Sequence, residues 1–311
     1  VARLAAMSGN MLERVVLYAE RQSGAVSLRQ LSKSGLTERH VKAWVRGERI
    51  LRTTARSVFR MPGAEASWRQ GLWVAVLAGP PKTVASHASA AALRGLLPPP
   101  PIPHVTVPRG SSGRFGGAVV HHATVSAADR CRLERLPATG VARTIVDCAA
   151  VLDQEALDLL VDAALGRNLA TYRRVRAAFE RAGRVRGGPL LEAAISPFSA
   201  NVRLGSEKEA HVLRRFHQWG LPAPVCQYEI RDATGRFLAR VDFAWPAWRF
   251  GLEYEGDEPH APRRWGRDDR RLRRVEDVGW RIEQADRGDL RPSSTRLRAL
   301  LADVLGLAVA A

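Results

Sequence analysis

Residues 236–245 and 248–255 read as two strands joined by the turn Trp245-Pro246-Ala247-Trp248, which leaves the last third of the chain few ways to fold. Side chains of a strand alternate between faces, so Glu253 and Glu255 share one face and Leu252 and Tyr254 the other. Asp242, flanked by Val241 and Phe243, is expected to point opposite to its apolar neighbours. If the two strands pair, three carboxylates converge, and carboxylates among strand-forming residues are costly to bury without a partner. Either a bound cation or a neighbouring arginine would neutralise them.

The order around this hairpin is helix 206–219, strands 224–231, 236–245 and 248–255, helix 263–278, strand 280–285 and helix 294–306. An αβββαβ order predicts a mixed sheet flanked by helices. The chain has 311 residues, enough for two or three domains. With 46% hydrophobic and 25% charged residues it reads as globular rather than disordered. Gly71 to Pro81 is the longest uncharged apolar stretch, too short to span a bilayer, and the opening residues lack a signal-peptide core. Cys131, Cys148 and Cys226 make neither a disulfide framework nor a zinc spacing, so the expected location is cytoplasmic, with no membrane partner. The net charge of +17 points to a polyanion, and DNA is the partner expected. Only four of the 48 basic residues are lysine, which reads as base-composition bias, but such bias exchanges Lys for Arg without creating charge.

Residues 1–64 read as a winged helix-turn-helix. Leu12, Val15, Val16 and Ala19 form a helical stripe, Ser27 can cap a short helix, and Thr37 can cap the next. In that helix Val41, Trp44 and Val45 face inward and leave Arg39, Lys42 and Arg46 outward, the arrangement of an element entering the major groove. Two β-like runs, 49–54 and 57–61, follow as a wing. Residues 65–200 read as a mixed α/β middle domain, with a helix over 83–97, strands around 104–108 and 117–125, and three helices between 141 and 183. The glycine-rich stretch 110–117 reads as a hairpin turn, His87, His121 and His122 as structural, and 183–201 as a linker. Residues 201–311 form the third domain of this α/β multidomain chain.

Three carboxylates suit a hard divalent cation, Mg²⁺ or Mn²⁺, with Asp242, Glu253 and Glu255 as its ligands. Such an ion can activate water and neutralise charge on a phosphodiester. Glu209 faces inward with Val212, Leu213 and Phe216, although Ser206 and Glu209 also have the spacing of a capping box. Asp268 shares a face with Leu272 and Val275, whereas Arg263, Arg267, Arg270 and Arg274 form a basic row, either a phosphate-binding ridge or a solvated face.

On the Ser206–Glu209 helix start, RVDFAWP at 240–246, GLEYEG at 251–256, His260, Asp268 with Arg271, and GWRIEQADRGDL at 279–290, residues 206–290 resemble the domain related to very-short-patch-repair endonucleases. That domain lies within the PD-(D/E)xK nuclease-like superfamily. Residues 10–200 resemble more loosely the antitoxins of type IV abortive-infection systems. The first resemblance implies a restriction-endonuclease-like fold, Asp242 and Glu253 as metal ligands, Glu209 as a third, and His260 and Asp268 beside them. Glu255 stands where the superfamily motif has its lysine: a substitute base, a second metal ligand, or the mark of a fold kept without its chemistry. The expectations are a Mg²⁺- or Mn²⁺-dependent DNA endonuclease or, alternatively, a non-enzymatic antitoxin-like transcriptional regulator. The second resemblance leaves open a homo-oligomer or a toxin-like protein partner.

Overall fold

The computed structural model describes residues 2–198, 204, 206–254, 268–291 and 294–307, with the side chains of 2–10 and 268–272 outside that description. The fold is mixed α/β with several sheets, in two compact units: Val1–Asp153 with Val175–Gly188, and Gln154–Arg174 with Pro189–Ala311. The middle segment read from the sequence is thus shared between both. Among the described residues no helix is long and apolar enough to cross a membrane.

The first unit begins with α1 (Ala2–Glu20), β1 (Ala25–Ser27), α2 (Leu28–Lys33), α3 (Glu38–Arg46), β2 (Leu51–Arg52) and β3 (Val58–Arg60). Both expected caps form. Ser27 accepts from the Gln30 amide and Thr37 from the His40 amide, each helix start closed by a reciprocal side-chain bond. β3 lies between β1 and β2, antiparallel to both, over a core of Val15, Val26, Leu31, Val41, Ile50 and Phe59.

There follow α4 (Trp68–Ala78), β4 (Val84–Ala85), α5 (His87–Ala92), β5 (His104–Val107), β6 (Val119–His122), β7 (Arg130–Leu133), β8 (Leu136–Thr139) and α6 (Val141–Cys148), with sheet order β6-β5-β4-β8-β7. Two expectations fail here. The helix expected over 83–97 divides into β4 and α5, because Val84 and Ala85 are taken into the middle of the sheet between β5 and β8. The glycine-rich stretch is no hairpin: β5 and β6 pair in parallel, so 108–118 must cross over. It does so by burying Phe115 and running against α4, where a Cβ on Gly116 would stand 3.1 Å from Val74 Cγ1.

His87 and His121 are packed, as expected, and His104 joins them, whereas His122 is exposed. His87 stacks on His121 with ring centroids 3.4 Å apart, and His104 Nδ1 lies 3.0 Å from His121 Nε2. Beside them run two ion pairs, buried Arg143–Asp147 at 2.7 Å and Arg181–Asp129 at 2.5 Å.

Next come α7 (Gln154–Gly166), in the second unit, and α8 (Tyr172–Ala182), in the first from Val175 onward. The second unit continues with α9 (Gly188–Ile195), α10 (Glu207–Gln218), β9 (Val225–Arg231), β10 (Phe237–Trp245), β11 (Phe250–Tyr254), α11 (Asp268–Asp277), β12 (Arg281–Ala285) and α12 (Arg296–Val304). α9 stands where a linker was expected. Pro189 sits in its first turn, where a missing amide hydrogen costs nothing. The sheet order is β12-β11-β10-β9, antiparallel except for β11 with β12, which α11 connects as a crossover.

α10 packs on this sheet through Phe216, edge-on to Phe243 at 5.3 Å and tilted against Trp245 at 5.5 Å. α7 lies against α10 and is held by Arg214, only 5% exposed. Its Nε and Nη2 donate to Asp162 Oδ1 at 2.9 and 2.7 Å, Nη2 also to the Ala194 carbonyl at 2.8 Å, and Nη1 lies 3.0 Å from Asp158 Oδ1. Gly166 permits the contact: a Cβ there would fall 2.3 Å from Glu207 Cα.

Breaking a buried pair strands a charge at about 3–5 kcal/mol. Asp162→Ala is expected to lower unfolding free energy by about 2–4 kcal/mol, the lower range because Asp158 remains. Urea titration of the whole chain checks this, and a loss below about 1 kcal/mol would contradict the clamp.

pH acts on the histidine stack. Burial, then the charges of His121, His104 and Arg143, hold the His87 pKa well below its ordinary value; burial also lowers His104, and His121 falls to about 4. The unfolded chain takes up these protons below about pH 6.5 and the native state resists them, so stability falls as pH drops from there toward the lowered values. Asp147 acts oppositely. Burial outweighs Arg143 and pushes its carboxyl up to about 6, so the native state is protonated first and gains stability as pH falls below that. Three histidines outweigh one carboxylate. The urea midpoint is expected to be lower at about pH 4.5 than at about pH 7, and His121→Gln to remove part of the decline. A decline unchanged in that variant would exclude the stack as its source.

Candidate functional site

Asp242 and Glu253 lie at one end of the β9–β10–β11 sheet. The register Phe243↔Leu252, Ala244↔Gly251 brings Asp242 and Glu253 to the next cross-strand position. Asp242 is fixed from two sides: Gln227 Nε2 donates to Oδ1 and the Tyr254 amide to Oδ2, each at 3.0 Å. Strict alternation breaks here, since Val241 packs in the cluster with Val275 of α11 whereas Phe243 meets Phe216 of α10. Opposite them Gln227 takes a left-handed φ of +52°, a local irregularity of the ladder.

Glu209 comes from the start of α10. Ser206 Oγ accepts from the Glu209 amide at 3.1 Å and donates to its Oε1 at 3.2 Å, so Ser206 caps α10. The charge of Glu209 is felt at the strand end. Burial, then the Glu209 and Asp242 carboxylates, push the Cys226 thiol up to about 12, so all three groups share one neighbourhood. Glu209 is buried, while Asp242 and Glu253 are half-buried. Carboxylate oxygens accept more than one bond each, so Asp242 keeps acceptor capacity beyond Gln227 and Tyr254. A pair of hard oxygen donors suits Mg²⁺ or Mn²⁺, which completes its shell with water. Among the described residues no group of three or more His, Cys, Asp or Glu is disposed to hold a metal.

Glu255, His260, Arg263 and Arg267 lie outside the described residues. Asp268, Arg270 and Arg271 fall in the first turns of α11 with their side chains outside the description; of the basic row, Arg274 is exposed. On α3, Arg39, Lys42 and Arg46 are all exposed. Lys42 pairs with Glu38 at 2.8 Å, a contact that lowers the Glu38 pKa, and so offers less free charge than its two neighbours.

One feature of the second unit escaped the sequence reading. A cavity of about 550 Å³ is walled by Lys208, His211 and Arg215 of α10, by Leu159 of α7, by Tyr254 at the end of β11, and by the turn bearing Arg287, Leu290 and Arg291. The i, i+3, i+7 spacing of Lys208, His211 and Arg215 was the available signal for a shared face. Nothing local announced what would lie across from it.

No established protein-family model matches the chain. It is similar to two proteins of Mycobacterium tuberculosis, "Uncharacterized protein Rv2248" and "Uncharacterized protein MT2308" from different strains, each 35% identical over 179 residues. The matched stretch is 55% of this chain and 64% of each relative, so the chain spans less than two thirds of their length. Neither name carries a function, so the chemistry rests on the residues of this chain.

Proposed function

We propose that the chain is a DNA-binding protein whose C-terminal sheet is a divalent-metal-dependent endonuclease domain of the PD-(D/E)xK type. The observation that carries this reading is the cross-strand placement of Asp242 and Glu253 at one sheet end. In this reading Asp242 and Glu253 hold Mg²⁺ or Mn²⁺, with Glu209 as a further carboxylate. The ion, when bound, lowers the pKa of a water and offsets charge on the scissile phosphate. Glu255 accepts the proton from the attacking water or joins the ligands. Residues 1–64 form a winged helix-turn-helix that lays α3 against duplex DNA, Arg39 and Arg46 on its phosphates.

A second reading has its own support. Both oxygens of Asp242 already accept hydrogen bonds, from Gln227 and from the Tyr254 amide, so the carboxylate is useful without metal. That suits an antitoxin-like regulator with a retained nuclease scaffold.

DNA binding by the full chain should weaken with salt, each phosphate contact adding about −0.9 to the log–log slope. Replacing Arg39 and Arg46 with Ala should flatten the slope by about 1.8, and Lys42→Ala should do less, because Glu38 holds it. An unchanged slope in the double variant removes α3 from the interface.

Plasmid cleavage separates the two readings. The expected result is cleavage dependent on Mg²⁺ or Mn²⁺, lost in Glu253→Gln and slowed about 10²–10⁴-fold in Glu255→Gln. Metal at about a hundred times its Kd should add roughly 2.7 kcal/mol of stability to wild type and none to Asp242→Asn with Glu253→Gln. Equal inactivity of wild type and variants, with no metal-induced stabilisation, selects the regulator; cleavage surviving Glu253→Gln puts the chemistry elsewhere.

A further inference from the structure

We propose that the cavity between α7, α10 and the end of β11 receives one unstacked deoxynucleotide of the DNA, its phosphate on Lys208, Arg215 and Arg291 and its base against Leu159 and Tyr254. This rests on the DNA reading above and adds the form of DNA recognised: a strand with a nucleotide that is unpaired or turned out of the helix.

The cavity's size, about 550 Å³, falls within the roughly 300–1,000 Å³ usual for sites enclosing a small molecule. Its chemistry is divided as a nucleotide's is. Lys208, Arg215, Arg287 and Arg291 supply positive charge, and of the two carboxylates in the wall, Asp162 is already neutralised by Arg214. Yet the same wall carries Leu159, 56% exposed on α7, with Leu290 and the Tyr254 ring. A site for bare phosphate has no use for this apolar side, and one for an apolar ligand has no use for the cations. A base joined to a phosphate uses both, since base–aromatic contact and phosphate pairing are the two means by which proteins hold unstacked nucleotides.

Arg215 is incompletely satisfied. Its Nη1 donates to Gln218 Oε1 at 3.0 Å, but its buried Nε has no acceptor among the described residues. A guanidinium at the cavity wall pairs readily with phosphate, to which it can present two donors at once. The opposite wall is stiffened in advance. Asp286 Oδ1 accepts from the Gly288 and Asp289 amides at 2.6 and 3.1 Å, and Arg296 clamps Asp289 at 2.6 and 2.8 Å, so the turn presenting Arg287 and Arg291 is braced from within.

Position ties the cavity to the chemistry. Tyr254 lies in its wall, follows Glu253 directly, and donates its amide to Asp242. A nucleotide lodged there therefore adjoins the strand end whose backbone holds Asp242. A base inside an intact duplex cannot enter such a cavity, so occupancy requires a strand already opened or a nucleotide extruded from the stack.

The test uses the full chain in EDTA, so that binding is read without cleavage. A duplex with a single unpaired 2-aminopurine is compared with the same duplex fully paired. The unpaired form is expected to bind on the order of tenfold more tightly, with a change in 2-aminopurine fluorescence, and deoxyadenosine monophosphate to compete for it better than inorganic phosphate. Arg215→Ala with Arg291→Ala should abolish the preference and leave binding of the paired duplex. Leu159→Glu, at an exposed position that folding does not need, should abolish it too. Equal affinity of wild type for both duplexes overturns the cavity assignment and leaves the DNA reading standing. A preference that survives both variants also overturns it. Failure to bind either duplex overturns the DNA reading itself, and this inference with it.

Discussion

The guanidinium of Arg214 holds the second unit together. A buried arginine has five donors to satisfy, and those of Arg214 are met by Asp162, Asp158 and the Ala194 carbonyl, with the Phe198 ring 5.5 Å beneath it. These partners come from α7 and the end of α9, so one side chain of α10 draws two upstream helices onto the helix that carries Glu209. Gly166 completes the arrangement, because no side chain fits where the end of α7 meets Ser206 and Glu207. The start of α10 is placed by this contact, and the position of Glu209 follows from it.

On the other face of α10 the strands supply precision that side chains alone would not. Asp242 is held by a neighbouring strand's side chain and by a backbone amide, and its cross-strand relation to Glu253 is a matter of register. Slipping β11 by one residue would exchange Glu253 for its apolar neighbour Leu252. The aromatic cluster of Phe216, Phe243, Trp245 and Phe250 guards against that slip, each such side chain contributing about 1.5–3 kcal/mol when fully buried. The same scaffold serves an active and an inactive centre alike, and the chemistry is decided by a few oxygen atoms placed on it.

The first unit shows a different balance. Its small three-stranded sheet and capped helices keep the basic residues of α3 at the surface and spend little polar chemistry inside. The larger sheet does the reverse, packing three imidazoles, Arg143 and Asp147 together, and so takes on a dependence on pH.

Much of this was legible because its causes are local. Ser27 and Thr37 act on amides three residues away, and the Trp-Pro-Ala-Trp turn and flanking runs set the order of strands in the second unit. The failures share a reason. Val84 and Ala85 became a central strand because β5 and β8 lie on either side, and the glycines of 110–117 permit a crossover as readily as a hairpin. Asp158 and Asp162 have no local sign of a partner, and only the fold brings Arg214 against them. The sequence by itself determined the helices and strands of the second unit from α10 onward, the caps of α2 and α3, the basic surface of α3 and the carboxylates of β10 and β11, because propensity, capping and alternation act within a few residues. Only the tertiary structure decided strand direction, the seat of α7 on α10 and the cavity they share with Tyr254, because those depend on side chains that meet across tens of residues of chain.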